Sequence, residues 1–134
     1  DQMDKRYDKH QTPATPAISL IQALNKQMDY ILAEGLENRW ARHIEMAEIV
    51  RAWARQYFAI YGDERYLSHT VTNVSNTRSI NVGQLNDELG KRGAMISNGY
   101  GDLKDVCFRI AHMGDLQVSD IKWLLEQIND ILGL

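Results

Sequence analysis

The 134-residue sequence has one cysteine, Cys107, so an internal disulfide and any cysteine-based metal motif are both excluded. A reducing compartment follows as the expectation, and the cytoplasm is the natural one. Long apolar runs are also missing. The longest extend only a few residues, against the roughly 18 or more that a membrane span requires, and the polar N-terminus lacks the apolar stretch of a signal peptide. A soluble chain is expected, with no membrane partner. Nor does either sign of charge dominate: 15 Lys and Arg stand against 18 Asp and Glu, a net charge of −3. Without a basic stripe to neutralise successive phosphates, nucleic acid is not an expected partner.

Sequence signatures of catalysis are equally scarce. There is no P-loop, no GxSxG, no Ser-His-Asp order and no paired-carboxylate motif. The four histidines, His10, His43, His69 and His112, fall on separate elements without ligand spacing, so no metal is assigned. Cys107, beside Phe108 in an apolar run, reads as a small buried hydrophobe rather than a nucleophile.

What is present is enough apolar residue, 44% of the chain, to build the core of one compact domain. Residues 1–10, DQMDKRYDKH, are charged and aperiodic and read as a connector rather than a folded start. Thr12-Pro13-Ala14-Thr15-Pro16 is stiff and extended, with Pro16 suited to a first helical position. Ile18, Ile21, Leu24, Met28, Ile31 and Leu32 then recur at helical spacing up to Gly35. A second helix is expected from Leu36 to Gly62. Its apolar face holds Trp40, Ile44, Ala47, Val50, Ala54 and Phe58, with Arg39, Arg42, Glu45, Arg51 and Arg55 around it.

Residues 67–74 alternate and are β-branched, so a strand with one buried face is expected there, followed by a polar turn over 75–79. A short helix over 82–89, a brief strand over 94–97 and a strand over 106–111 come next, the last two separated by the turn Asn98-Gly99-Tyr100-Gly101-Asp102. Ile121, Leu124, Leu125, Ile128 and Leu132 mark a closing amphipathic helix. The expected fold is α+β, two N-terminal helices and a small, mostly antiparallel sheet covered by helices on one face, in the order α, α, β, α, β, β, α.

Arg109 is the residue that calls for explanation. It lies mid-strand between apolar neighbours, where a guanidinium needs a carboxylate, supplied either by the protein or by a ligand. Other polar groups have plainer readings. Gln11, Thr12 and Thr15 could bind an anion near a helix start, but capping is the commoner duty of such hydroxyls. The glycines flanking Tyr100 could admit a ligand to the backbone, or only shape a turn. Trp40, Trp53 and Trp123 sit on expected helices, where packing accounts for them.

Four segments, in order, resemble the small domain of class V aminotransferases. They are Thr12-Pro13-Ala14-Thr15-Pro16-Ala17-Ile18-Ser19-Leu20, Glu34-Gly35-Leu36-Glu37-Asn38-Arg39-Trp40-Ala41-Arg42-His43, Asn98-Gly99-Tyr100-Gly101, and Phe108-Arg109-Ile110-Ala111-His112-Met113-Gly114. The resemblance spans residues 11–134, with residues 1–10 as the connector from a large domain of the same polypeptide. It implies a homodimeric enzyme using pyridoxal phosphate (PLP) to move an amino group from a small amino acid, of alanine or serine type, to a 2-oxo acid such as glyoxylate or pyruvate.

In that resemblance Arg109 grips the substrate carboxylate, and Gln11 and Thr12 fall where relatives supply polar groups to the PLP phosphate of the neighbouring subunit. Gln11 departs from the asparagine of the phosphoserine branch, and Asn98 stands where glycine often precedes Gly99. The cofactor-binding lysine lies upstream in relatives, and none of Lys5, Lys9, Lys26, Lys91, Lys104 and Lys122 matches it. Alone, the chain would supply substrate grip and closure rather than chemistry. Two other readings stand beside this one: a free-standing binding or dimerisation module without catalysis, and a lyase or desulfurase on the same scaffold.

Overall fold

The computed structural model describes residues 2–12 and 14–134. Asp1 of the expected connector and Pro13 of the expected extended segment lie outside the described residues. The chain divides into two compact units, residues 1–39 and 40–134, each of which is taken by itself.

In the first unit the expected connector is in part helical: α1 spans Gln2–Tyr7. Its residues are mostly good helix formers, with Asp4 in the first turn where the helix dipole favours an acid. The long helix α2 covers Ile18–Glu34, two residues later than Pro16 suggested, and Gly35 caps it at a φ of 84°. Its N-cap is Ala17, with no side-chain cap hydrogen bond, so neither Thr12 nor Thr15 caps it. The apolar stripe is present, yet no residue of α2 is buried.

Helix α3, Leu36–Tyr57, ends five residues before Gly62. The Phe-Ala-Ile stretch that follows favours extended structure: Phe58 turns into the core and β1, Ala59–Ile60, pairs with the next strand. Among the described residues the sheet has four strands in the order β1-β2-β4-β3, every neighbouring pair antiparallel. Strand β2 is Val71–Ser75, β3 is Ser97–Asn98 and β4 is Cys107–Ala111. Helix α4, Val82–Lys91, follows β2 and helix α5, Val118–Leu132, follows β4.

Two expected strands are shortened by side chains that take over backbone hydrogen bonds. Ser68 Oγ lies 2.9 Å from Thr70 Oγ1 and accepts from the Thr70 N–H, which diverts that N–H from the ladder while the Thr70 carbonyl still accepts from the His112 N–H at 2.9 Å. Asn86 accepts from the N–H of Ile96 and donates to its carbonyl, both at 2.8 Å, in place of a strand neighbour.

One face of the sheet forms the core. Val74, Phe108 and Ile110 meet Met46, Val50, Trp53 and Ala54 of α3, Leu85 and Leu89 of α4, and Ile121, Leu125 and Ile128 of α5. Phe58 stands edge-on to Phe108 with ring centroids 5.3 Å apart. Trp53 is buried with its Nε1–H donated to Asn129 Oδ1 at 2.8 Å, whereas Trp40 and Trp123 remain exposed. Arg51, expected on the outer face of α3, is buried instead, donating to Glu48 and, at 2.9 Å, to the Ser68 carbonyl. The unit is thus an α+β domain with helices on one face of an antiparallel sheet.

Candidate functional site

Strand β4 places Arg109 on the face of the sheet opposite the core, because side chains alternate and its neighbours Phe108 and Ile110 are both fully buried. Its register partners are Asn73 on β2 and Ser97 on β3. The guanidinium is half-buried. Its Nε and Nη2 both donate to the carbonyl oxygen of Asn98, at 3.3 and 3.1 Å. The Tyr100 ring lies against the cation, 4.7 Å from Cζ to the ring centroid.

The carboxylate that a mid-strand arginine calls for is not supplied by the described residues. Asn98 O occupies the side edge of the guanidinium, and the ring occupies one face. The end edge, Nη1 with the second hydrogen of Nη2, is left for an in-plane pair of hydrogen bonds to a carboxylate. Across the ladder, Asn73 Oδ1 is buried without a hydrogen-bond partner, a further acceptor on the same face that the sequence did not single out.

The loop joining β3 to β4 is held by Asn98. Its Oδ1 accepts from the N–H of Gly99 at 2.8 Å and of Asp105 at 2.9 Å, and its Nδ2 donates to Asp105 Oδ1 at 2.7 Å. Gly99 is required here for space: a Cβ would lie 1.9 Å from the Leu103 carbonyl oxygen. Asparagine in place of the more usual glycine thus gives the loop a side-chain anchor.

Gln11 and Thr12 belong to the first unit. With Arg6 and His10 they line an open depression of about 730 Å³. Arg6 donates to the Thr12 carbonyl at 3.4 Å, and the Thr12 hydroxyl donates to the Ala14 carbonyl at 2.6 Å. The Arg6, His10 and Gln11 side chains form a donor set suited to an anion such as a phosphate, whereas the Thr12 hydroxyl has committed its hydrogen to the backbone.

A separate polar pair is buried in the core. His112 Nε2 is 2.8 Å from Thr72 Oγ1, and its Nδ1 is 3.2 Å from the His69 carbonyl. Burial holds the imidazole below its ordinary pKa against the opposing pull of the His69 carbonyl, and the nearby Arg51 and His43 act in the same direction as burial. Cys107 is buried and unpaired.

An antiparallel sheet with helices on one face and an arginine open on the other is the arrangement found in the second unit. No family model matches the chain. An uncharacterized aminotransferase of Methanocaldococcus jannaschii is 36% identical over 82% of this chain, and an L-aspartate–glyoxylate aminotransferase of Paracoccus denitrificans is 32% identical over the same share. The pyridoxamine-pyruvate aminotransferase of Mesorhizobium loti has the same fold over 91% of this chain, at a TM-score of 0.81 and 27% identity. The chain spans 30% and 28% of the lengths of the first two and 32% of the third. It belongs with the class V aminotransferases and carries the fold of their small domain.

Proposed function

We propose that residues 11–134 are the substrate-gripping small domain of a PLP-dependent aminotransferase. Residues 1–10 join it to a large domain that carries the cofactor-binding lysine. Arg109 binds the carboxylate of a small amino acid of alanine or serine type and of a 2-oxo acid acceptor such as glyoxylate or pyruvate. The observation that carries this reading is the half-buried strand guanidinium with its end edge open and no carboxylate partner among the described residues. A guanidinium suits the task because two parallel charge-assisted bonds fix the carboxylate in one plane, which orients the amino group at the other end of a small molecule.

Gln11, with Arg6 and His10, would hold the PLP phosphate in a homodimeric, cytoplasmic enzyme. Thr12 contributes a backbone-tied hydroxyl beside them. Bound there, the cofactor supplies the electron sink and carries the amino group between donor and acceptor. Arg109 would hold the substrate carboxylate, and the Gln11 segment the phosphate of the neighbouring subunit's cofactor.

Arg109→Lys in the full-length protein tests the reading. Lysine offers a point charge without the paired fork, so KM for the amino donor rises by about 1 to 3 kcal/mol, roughly fivefold to 150-fold, while PLP affinity changes far less. An unchanged KM removes Arg109 from the substrate site.

A further inference from the structure

We infer that Tyr100 is a positioning residue for Arg109, seated by the Asn98–Asp105 lock so that the guanidinium is aimed at the substrate carboxylate before substrate arrives. The inference rests on the reading of Arg109 given above and extends it to a residue with no assigned role. Tyr100 is 78% exposed, so core packing does not account for where its ring lies. The ring instead lies against the guanidinium, 4.7 Å from Cζ.

An arginine side chain on an open sheet face has many rotamers, and each one frozen on binding weakens the grip. Two contacts remove that freedom here. The Asn98 carbonyl takes Nε–H and one Nη2–H, and the Tyr100 ring covers one face through its electron-rich π surface. The contacts come from the last residue of β3 and from the loop that follows it. Asn98 clamps Asp105 with both ends of its amide, Asn76 Nδ2 donates to the Asp105 carbonyl at 2.9 Å, and Asp105 holds a left-handed φ of 62°. The Leu103 N–H returns to the Tyr100 carbonyl at 2.9 Å, and the Gly99 N–H donates to the Cys107 carbonyl at 2.9 Å, which ties the ring-bearing turn to β4 itself.

The arrangement therefore selects ligands that present a planar carboxylate end-on, in the guanidinium plane. A group that must approach from the side edge meets the Asn98 carbonyl oxygen, which repels an anion. A group stacking on the covered face meets the ring.

The test compares Tyr100→Leu, Tyr100→Phe and Arg109→Lys in the full-length protein, with KM, kcat and Tm measured together. Tyr100→Leu raises KM for the amino donor by about two- to fivefold, the range of an exposed cation–π contact, with kcat and Tm unchanged. Tyr100→Phe, which keeps the ring and drops only the hydroxyl, returns KM to the wild-type value. In the 134-residue chain, the Arg109 Nε–H resonance carries a ring-current displacement that persists in Tyr100→Phe and vanishes in Tyr100→Leu.

A wild-type KM in Tyr100→Leu, beside a raised KM in Arg109→Lys, overturns the positioning role and leaves the Arg109 reading standing. So does a Tyr100→Phe variant as impaired as Tyr100→Leu, since the hydroxyl and not the ring face would then matter. An unchanged KM in Arg109→Lys overturns both.

Discussion

Helices α2 and α5 carry the same kind of signal and meet different fates. Both place large apolar residues at three- and four-residue spacing, and the sequence gives each a face to bury. In α5 that face closes the core, with Ile121, Leu125 and Ile128 all buried against the sheet and its neighbouring helices. In α2 no residue is buried, and Leu24 is 60% exposed. Helical periodicity thus specifies that a stripe exists and where it points. What covers the stripe depends on residues elsewhere, and for α5 those are Phe108, Ile110 and Leu89 of the same unit.

The contrast can be broken most sharply by truncating the buried stripe. Ile128→Ala removes a fully buried side chain and leaves a cavity among α3, α5 and the sheet, so urea denaturation of the 134-residue chain should show a loss of about 2 to 5 kcal/mol.

An intermediate effect comes from the polar pair in the same core. His112 has a depressed pKa in the folded chain, so the fold keeps it neutral while the unfolded chain takes up a proton near the ordinary value of about 6.5. Its stabilising contribution is therefore present above that pH and is lost as pH falls below it. Denaturation midpoints should decline between about pH 7.5 and 5.5. His112→Leu should flatten that decline while costing about 1 to 3 kcal/mol at neutral pH, because the buried Thr72 hydroxyl loses its partner.

The smallest effect belongs to α2. Leu24→Ser on the exposed stripe should change the stability of this chain by no more than about 0.5 kcal/mol. A loss as large as that of Ile128→Ala would show that the two stripes are equally buried and would remove the distinction.

The elements with long, regular patterns were legible from the sequence, namely α2, most of α3, α5 and the strand bearing Arg109. The short helix α4 was legible too, but the short strands were not, for local reasons. Strand β1 is two residues long, too short for an alternation to register, and it was absorbed into the end of α3. The starts of β2 and β3 are displaced by Ser68, Thr70 and Asn86, whose side chains bond the backbone in ways that spacing does not encode. Arg51 read as solvated because charge alone placed it, whereas the Ser68 carbonyl that buries it arrives from 17 residues away.

At the candidate site the sequence singled out Arg109 and asked for a carboxylate. The structure answers with a carbonyl and a ring from the loop at Asn98 and Tyr100. The available signal was the pair of glycines around Tyr100, which marks a tight turn without saying that the ring folds back onto β4. Thr12 read as a cap because a helix begins nearby, but the helix starts at Ile18 and the hydroxyl bonds the Ala14 carbonyl instead.

The most direct test of the central claim is the cofactor absorbance of the full-length protein, recorded beside the 134-residue chain while L-alanine or L-serine is added. The full-length protein should show a PLP band that bleaches saturably with the amino acid, and the chain alone no such band. A full-length protein that binds no PLP, or binds it and does not respond to either amino acid, would contradict that claim.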